Sequence, residues 1–328
     1  MYMKNGKLVG TVKEVWRYPV KSMQGEQVTQ CDVTKQGVVG DRGWAIKDND
    51  ADEIRGVRKI PKLLHCQATY VKEPVRGDVP AVNIATPNGE MLKAGDAECE
   101  EQLSTYLKRP VSVWPIQPTW NLKHYSLKEL ATSKDLRNQF GTETTPDISS
   151  ISLKLMLELA VFATPLGRYY DCYPLHILTT SSLNTMAEHD ANGDFNTRRF
   201  RPNFLIETED DQQGLAEFDW VGGILIIGET LIKIETRTVR CSMPAQPQLG
   251  LGKSAPVVKA LVNHTDRHLG VYATVLKEGV VKKGDSVVFY QPEMMRVAQK
   301  MEPVRRFLKK RMMDTSLALS DFVADRLK

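Results

Sequence analysis

The chain lacks any apolar run near the roughly 20 residues that a membrane-crossing helix requires. Its start, Met1-Tyr2-Met3-Lys4-Asn5-Gly6-Lys7, lacks the apolar core of a secretory signal, so a cytoplasmic protein is expected. Cysteine pairs are missing too: Cys31, Cys66, Cys99, Cys172 and Cys241 are five scattered residues without a C-x-x-C. That argues against a structural zinc site or a thioredoxin-like pair, and an odd count leaves at least one thiol free. Disulfides are disfavoured in a reducing compartment in any case. No G-x-G-x-x-G or Walker A run is present, so nucleotide binding through those phosphate loops is excluded. The absence of G-x-S-x-G disfavours a serine hydrolase. Of six histidines only His264 and His268 have i,i+4 spacing. They lack the glutamate of a zinc protease and read as a solvated helical or loop pair.

A broad basic face is also lacking. Residues 291–328 carry nine Lys/Arg and five Asp/Glu, which accounts for the whole net charge of +4 and leaves a neutral body. Duplex nucleic acid is therefore not an expected partner.

What remains is a globular composition, 41% hydrophobic and 26% charged, over 328 residues, enough for two domains. The predicted fold is mainly β with inserted helices, an α+β protein. Strands are expected at 8–17, 27–33, 44–48, 66–71, 81–86 and 111–115, with a helix at 97–107, which suggests a barrel or sandwich over 1–115. Residues 116–170 read as a linker or helical insertion, with helices expected at 126–139 and 150–162. The 171–290 part reads as a second β structure, closed or nearly so. Its strands are expected at 175–178, 204–206, 223–227, 230–235, 271–276 and 286–289. Thr179-Thr180-Ser181-Ser182 is expected to cap a helix running to Ala187. Lys282-Lys283-Gly284-Asp285 reads as a turn between strands.

In the tail, 291–328, Met294, Val297, Met301, Val304, Phe307 and Leu308 recur at helical spacing among basic residues, with Pro303 as an interruption. A terminal helix docked on the body with a solvated basic face is expected. Contact with a membrane surface or an acidic partner is the alternative.

Four stretches set a basic side chain beside a turn or strand end, near a hydroxyl or amide. They are Tyr18-Pro19-Val20-Lys21-Ser22, Gly40-Asp41-Arg42-Gly43-Trp44, Arg198-Arg199-Phe200-Arg201-Pro202-Asn203 and Val239-Arg240-Cys241. Guanidinium groups suit bidentate phosphate or carboxylate binding, and Lys acts there as a point charge. Together the stretches suggest a phosphate-bearing or polyanionic cofactor held by side chains. Cys241 follows a strand-like run beside two arginines, a setting that favours the thiolate, the form that ligates metals. An inert cysteine ending a core strand is the other local reading.

These motifs, with Val57-Arg58-Lys59-Ile60-Pro61-Lys62-Leu63, Asp219-Trp220, Ile227-Gly228 and Leu269-Gly270-Val271-Tyr272, resemble the two-part MOSC-domain proteins. The closest likeness is to the amidoxime-reducing molybdenum enzymes and their bacterial counterparts. The resemblance implies an N-terminal MOSC β-barrel domain, a C-terminal MOSC β-barrel domain and a molybdenum cofactor, Mo-molybdopterin. By that resemblance Cys241 is the metal ligand and the catalytic residue. Lys21, Ser22, Arg42, Arg201 and Arg240 hold the phosphate and pterin, and Asn203 lies near the pterin or orients Arg201. Asp171, Cys172 and Tyr173 stand in a loop where relatives place small hydroxyl residues around the cofactor. Val239 stands where close relatives often have Ser. The family association also includes pyridoxal phosphate binding.

The implied activity is reduction of N-hydroxylated small molecules: amidoximes, hydroxylamines and N-hydroxylated bases. Electrons are implied to come from a separate electron-transfer protein, whether a reductase or a ferredoxin-like or cytochrome b5-like carrier. Two other readings remain: a cofactor or sulfur carrier with a persulfide on Cys241, and a binding module that has lost its metal.

Overall fold

The computed structural model describes residues 6–128, 132–293 and 302–326. The N-terminal part begins with β1 (Lys7–Arg17), β2 (Glu26–Val28), β3 (Gln30–Thr34), β4 (Gly37–Val38), β5 (Trp44–Asp48) and β6 (Glu53–Ile54). After a 3-10 turn at Pro61–His65 come β7 (Gln67–Tyr70), β8 (Val82–Ala85), β9 (Met91–Lys93), α1 (Cys99–Leu107) and β10 (Val111–Pro115). Three short helices follow: α2 (Leu122–Tyr125), α3 (Ser133–Phe140) and α4 (Leu153–Leu159). Next are β11 (Leu175–Thr179), α5 (Thr180–His189), α6 (Thr197–Phe200), β12 (Phe204–Thr208), β13 (Ile224–Ile227) and β14 (Thr230–Val239). The chain continues through α7 (Ala255–Thr265), β15 (His268–Lys277), β16 (Gly279–Lys282), β17 (Ser286–Tyr290) and α8 (Glu302–Arg326).

Seven strands close a barrel in the order β1-β12-β11-β15-β14-β13-β17, and β17 returns to β1. Closure removes the edges that an open sheet would leave unpaired. The first strand of the chain thus completes a barrel whose other members all lie beyond residue 174. Val9, Val12 and Val15 from β1 meet Ile177, Phe204, Ile206, Leu225, Ile234 and Val271 in one buried core. Each such side chain contributes about 1.5–3 kcal/mol on full burial. Glycine is required at Gly10, because a Cβ there would lie 2.2 Å from the Glu207 carbonyl oxygen.

Of the other N-terminal strands, β2 pairs beside β1, and β3 and β4 join β16, while β5 to β10 form the three-stranded sheets β10-β5-β6 and β7-β8-β9, packed with α1 around a second core that includes Ile46, Leu63, Ile84, Leu103 and Val111. The protein is α+β, with an N-terminal barrel domain, a closed β-barrel and a C-terminal helix.

Several sequence expectations differ from the structure. The strand expected at 27–33 is two strands, because the chain changes sheets at Thr29: β2 pairs with β1, and β3 with β16. The strand expected to stop at Glu235 runs on to Val239, since pairing with β15 continues through Thr236, Arg237 and Val239. The turn at 282–285 joins β16 to β17, which lie in different sheets. The 126–139 helix shortens to α3, where Thr132 forms a capping box with Asp135. The 150–162 helix shortens to α4, capped by Ser152. His264 and His268 share no helix, because α7 ends at Thr265 and Asp266 turns left-handed. His264 stacks on His189 with ring centroids 4.0 Å apart, while His268 is buried.

In the tail, Met294, Val297 and Met301 lie outside the described residues, and Pro303 falls in the first turn of the described helix. The face of α8 that meets the body is not the expected apolar one. It carries Arg306, Lys309, Met313 and Asp321, bound to Asp147, the Ile151 carbonyl and the Ser133 N–H.

Candidate functional site

Three of the five segments that carry the predicted site residues are locked together around Tyr18. The Arg42 N–H donates to the Tyr18 carbonyl at 2.6 Å, and the Asp41 carboxylate accepts from the Tyr18 N–H at 2.9 Å. The Tyr18 hydroxyl donates to the Pro202 carbonyl at 3.1 Å. Both the Arg42 and Arg201 guanidiniums lie against the Tyr18 ring, at 5.0 and 4.3 Å from its centroid. The Ser22 hydroxyl accepts from the Val57 N–H at 3.0 Å, pinning the loop that follows Lys21. Ser22, Arg42 and Arg201 all have positive φ (71°, 51° and 54°). That conformation costs a non-glycine residue energy and tends to persist at sites where neighbours enforce it.

The other two segments join through charge and through β11. The Lys21 ammonium donates to the Tyr169 carbonyl at 3.0 Å and pairs with the Asp171 carboxylate. Arg240 Nη2 donates to the Phe200 carbonyl at 2.6 Å, next to Arg201. Asn203 fastens Arg201 to β11: its Oδ1 accepts from the His176 N–H at 3.1 Å, and its own N–H donates to the His176 carbonyl at 2.7 Å. The Cys241 thiol lies close enough to Asp171, Cys172, Arg240 and Tyr272 for each to act on it electrostatically. All ten predicted residues are therefore connected in space.

Lys21, Ser22, Arg201, Asn203 and Arg240 are buried and form the floor of the cluster. Arg42, Cys172, Tyr173 and Cys241 are half-buried. Asp171 stands at the mouth with its side chain 74% exposed. Cys172 and Cys241 are the two cysteines of the five that are not fully buried.

Electrostatics set the character of the site. Lys21 and Arg42 each have a carboxylate partner, Asp171 and Asp41. Arg201 and Arg240 make no ion pair among the described residues. Arg201 Nη1 donates to the Met23 carbonyl at 2.5 Å, while its Nη2 and the Arg240 Nε are buried with no protein acceptor. Burial, reinforced by repulsion from Arg42, pulls Arg201 down to about 10, and burial lowers Arg240 too. Crowding by neighbouring groups acts on the Asp171 carboxyl although its side chain is largely exposed. It works to raise the carboxyl, but Lys21, Arg42 and Arg201 outweigh it and hold Asp171 at about 2. Burial pushes the Cys172 thiol up to about 12. Cys241 is also raised, because burial exceeds the pull of the Met243 N–H and Arg240. The bare site thus does not hold a free thiolate, contrary to the sequence argument from neighbouring arginines: desolvation wins over proximity.

Two residues of this cluster escaped sequence reasoning. His176 and Tyr272 face each other across β11 and β15 with ring centroids 5.9 Å apart. They point outward, since their neighbours Leu175, Ile177, Val271 and Ala273 fill the barrel core. Tyr272 stacks on Tyr173 at 5.3 Å, and His176 Nε2 is buried without a partner. Burial and then the Arg240 charge keep His176 neutral, well below the ordinary histidine value. Gly270 makes room for its ring, as a Cβ there would sit 2.3 Å from His176 Nε2. Glu217, buried in the 3-10 turn Ala216–Trp220, fixes Gly270 by accepting its N–H at 3.1 Å along with the Ser182 hydroxyl. In the sequence His176 and Tyr272 sit inside apolar strand runs with no local mark of a site; the outward register was the missing signal.

A barrel completed by an N-terminal strand, with a basic, thiol-bearing cluster on its outer side, defines the class. Residues 9–116 match the MOSC N-terminal beta barrel domain, and residues 166–288 match the MOSC domain. The chain belongs to the MOSC family. It is 23% identical over 320 residues to mitochondrial amidoxime reducing component 2 of Bos taurus, covering 85% of this chain and 83% of that protein. The Rattus norvegicus protein of the same name is 24% identical over 317 residues, with the same coverage. Among solved structures, the YUAD protein from Bacillus subtilis covers 88% of this chain and all of that one, at 12% identity and a TM-score of 0.42.

Proposed function

We propose that this protein is a molybdenum-cofactor-dependent reductase of N-hydroxylated small molecules, with Cys241 as the metal ligand. One observation carries the reading. Two buried guanidiniums, Arg201 and Arg240, make no direct ion pair among the described residues, and each aims an N–H at no protein acceptor, beside a half-exposed thiol. A buried cation without an anion is costly, and a phosphate-bearing ligand removes that cost. A thiol donor and an anion cradle are the features a molybdopterin-type cofactor needs, so the residues present fit it. The relatives' name, amidoxime reducing component, supports the substrate class.

In this reading Lys21, Ser22, Arg42, Arg201 and Arg240 hold the phosphate and pterin, and Asn203 fixes Arg201 on β11. Cys241 gives up its proton on ligation, which couples loading to pH. The bound molybdenum dithiolene supplies the two-electron chemistry that removes oxygen from an N–O bond. Asp171, now paired to Lys21, is the counter-ion that Lys21 exchanges when an anion enters. Cys172, Tyr173 and Tyr272 line the mouth, and His176 keeps a neutral imidazole at the cradle. The word component in the relatives' name supports assigning the electron supply to a separate electron-transfer protein.

The test is molybdenum content of the purified protein together with benzamidoxime reduction by an artificial electron donor. About one molybdenum per chain with turnover is expected, and Cys241→Ala should lose both while keeping its melting transition. Sulfane sulfur on Cys241 without metal or turnover would instead make the protein a sulfur carrier. A Cys241→Ala protein that still turns over would falsify the ligand assignment.

A further inference from the structure

Helix α8 turns its apolar side away from the protein. At 100° per residue, Val304, Phe307, Leu308, Met312, Leu319 and Phe322 fall within about 140° of arc. All six are exposed, Phe307 at 65% and Leu319 at 64%. The opposite arc is the one tied to the body: Arg306 meets Asp147 at 3.5 Å, Lys309 Nζ donates to the Ile151 carbonyl at 3.3 Å, and the Asp321 carboxylate accepts from the Ser133 N–H at 2.9 Å. Met313, on that same arc, is buried. The apolar stripe is therefore not a docking face for this chain's own core. It spans about 27 Å of helix, and exposed apolar stretches of such extent mark interaction surfaces.

We propose that this stripe seats α8 in the surface of an anionic lipid bilayer. Charge selects the occupant. Arg305, Arg311 and Arg326 are exposed on or beside the stripe, and among the side chains described there Asp314 is the one exposed carboxylate at its edge. Cationic rims around Phe, Leu and Met suit a helix lying in the headgroup layer, where apolar groups sink about 5–10 Å and Lys or Arg reach for phosphate. A second copy of the same helix fits poorly. Parallel pairing sets the arginines against one another, and antiparallel pairing leaves three arginines to share Asp314, since Ser133 already holds Asp321. No described helix is long and apolar enough to cross a membrane, so the contact is with the surface.

The experiment is flotation of the full chain with vesicles of phosphatidylglycerol and phosphatidylcholine, against pure phosphatidylcholine, at low and high salt. Binding is expected to the anionic vesicles only and to weaken with salt. Each of Arg305→Gln, Arg311→Gln and Arg326→Gln should weaken it roughly fivefold. Phe307→Ser/Leu308→Ser/Phe322→Ser should abolish it with helical circular dichroism intact and molybdenum content unchanged, which separates this outcome from any failure of the site. Three results overturn the proposal: no flotation, flotation indifferent to these substitutions, or a dimer in sedimentation equilibrium that the triple variant dissolves.

Discussion

Burial and neighbouring charge pull in opposite directions on the groups that matter here. Arg201 is held against Arg42 and a tyrosine ring with no carboxylate of its own, so the bare protein carries it at a cost. Replacing it with a similar apolar volume, Arg201→Met, should leave thermal stability of the metal-free protein unchanged or raise it by about 1 kcal/mol. The same variant should fail to retain molybdenum. A clear loss of stability in the metal-free variant would show that the bond to Met23 matters more than the repulsion. Cys172→Ser, at the mouth, should keep the metal and change the substrate preference, read as kcat/KM across amidoximes of different size. The sequence showed these residues because guanidinium and thiol beside turns are conspicuous in any context. It hid His176 and Tyr272, whose roles depend on which side of a strand they occupy.

Strand register is what turns a list of basic residues into a cluster. β14 runs four residues past its expected end because β15 supplies partners for Thr236, Arg237 and Val239, and this delivers Arg240 and Cys241 to the cluster. Local preference alone would have stopped a stretch as polar as Glu235-Thr236-Arg237-Thr238 earlier. Strands at 44–48 and 111–115 were legible to the residue, since each is short, β-branched and fenced by turn residues. The break at Thr29 was not, since nothing local marks a change of sheet. Gly270 ties register to site. Its φ of +79° and its contact with His176 forbid a side chain. Gly270→Ala should destabilise by about 2–3 kcal/mol and lower metal retention, measured by urea unfolding and metal analysis. A neutral effect would mean that the β15 start can shift without cost.

The molecule as a whole is bound together by strand exchange between its ends. A fragment of residues 166–292 lacks β1 and leaves β12 and β17 with open edges, so it should aggregate or unfold without a cooperative transition. Co-expression with residues 1–116 should restore solubility. Acid should weaken the intact fold in a defined direction. Burial, then the Lys47 charge, holds His124 at about 4, against 6.5 in an unfolded chain, so the unfolded state binds more protons between those values. Stability is expected to be complete above pH 6.5 and to fall as pH drops toward 4. Urea midpoints at pH 7.5 and 5.0 test this, with a smaller drop in His124→Gln. Equal midpoints in the native sequence would remove the argument.

Ring closure also sets a timetable for synthesis. β1 leaves the ribosome first, yet its neighbour β17 begins only at Ser286. At typical elongation rates the opening strand waits roughly a quarter of a minute to a minute for that partner. During this interval its valine-rich face and unsatisfied backbone need shelter, which makes nascent-chain chaperones a natural requirement. The buried basic cluster, drawn from Lys21 at one extreme and Arg240 at the other, is complete only once the barrel closes at β17, so an anionic ligand of that cluster can be taken up only late in synthesis or after it.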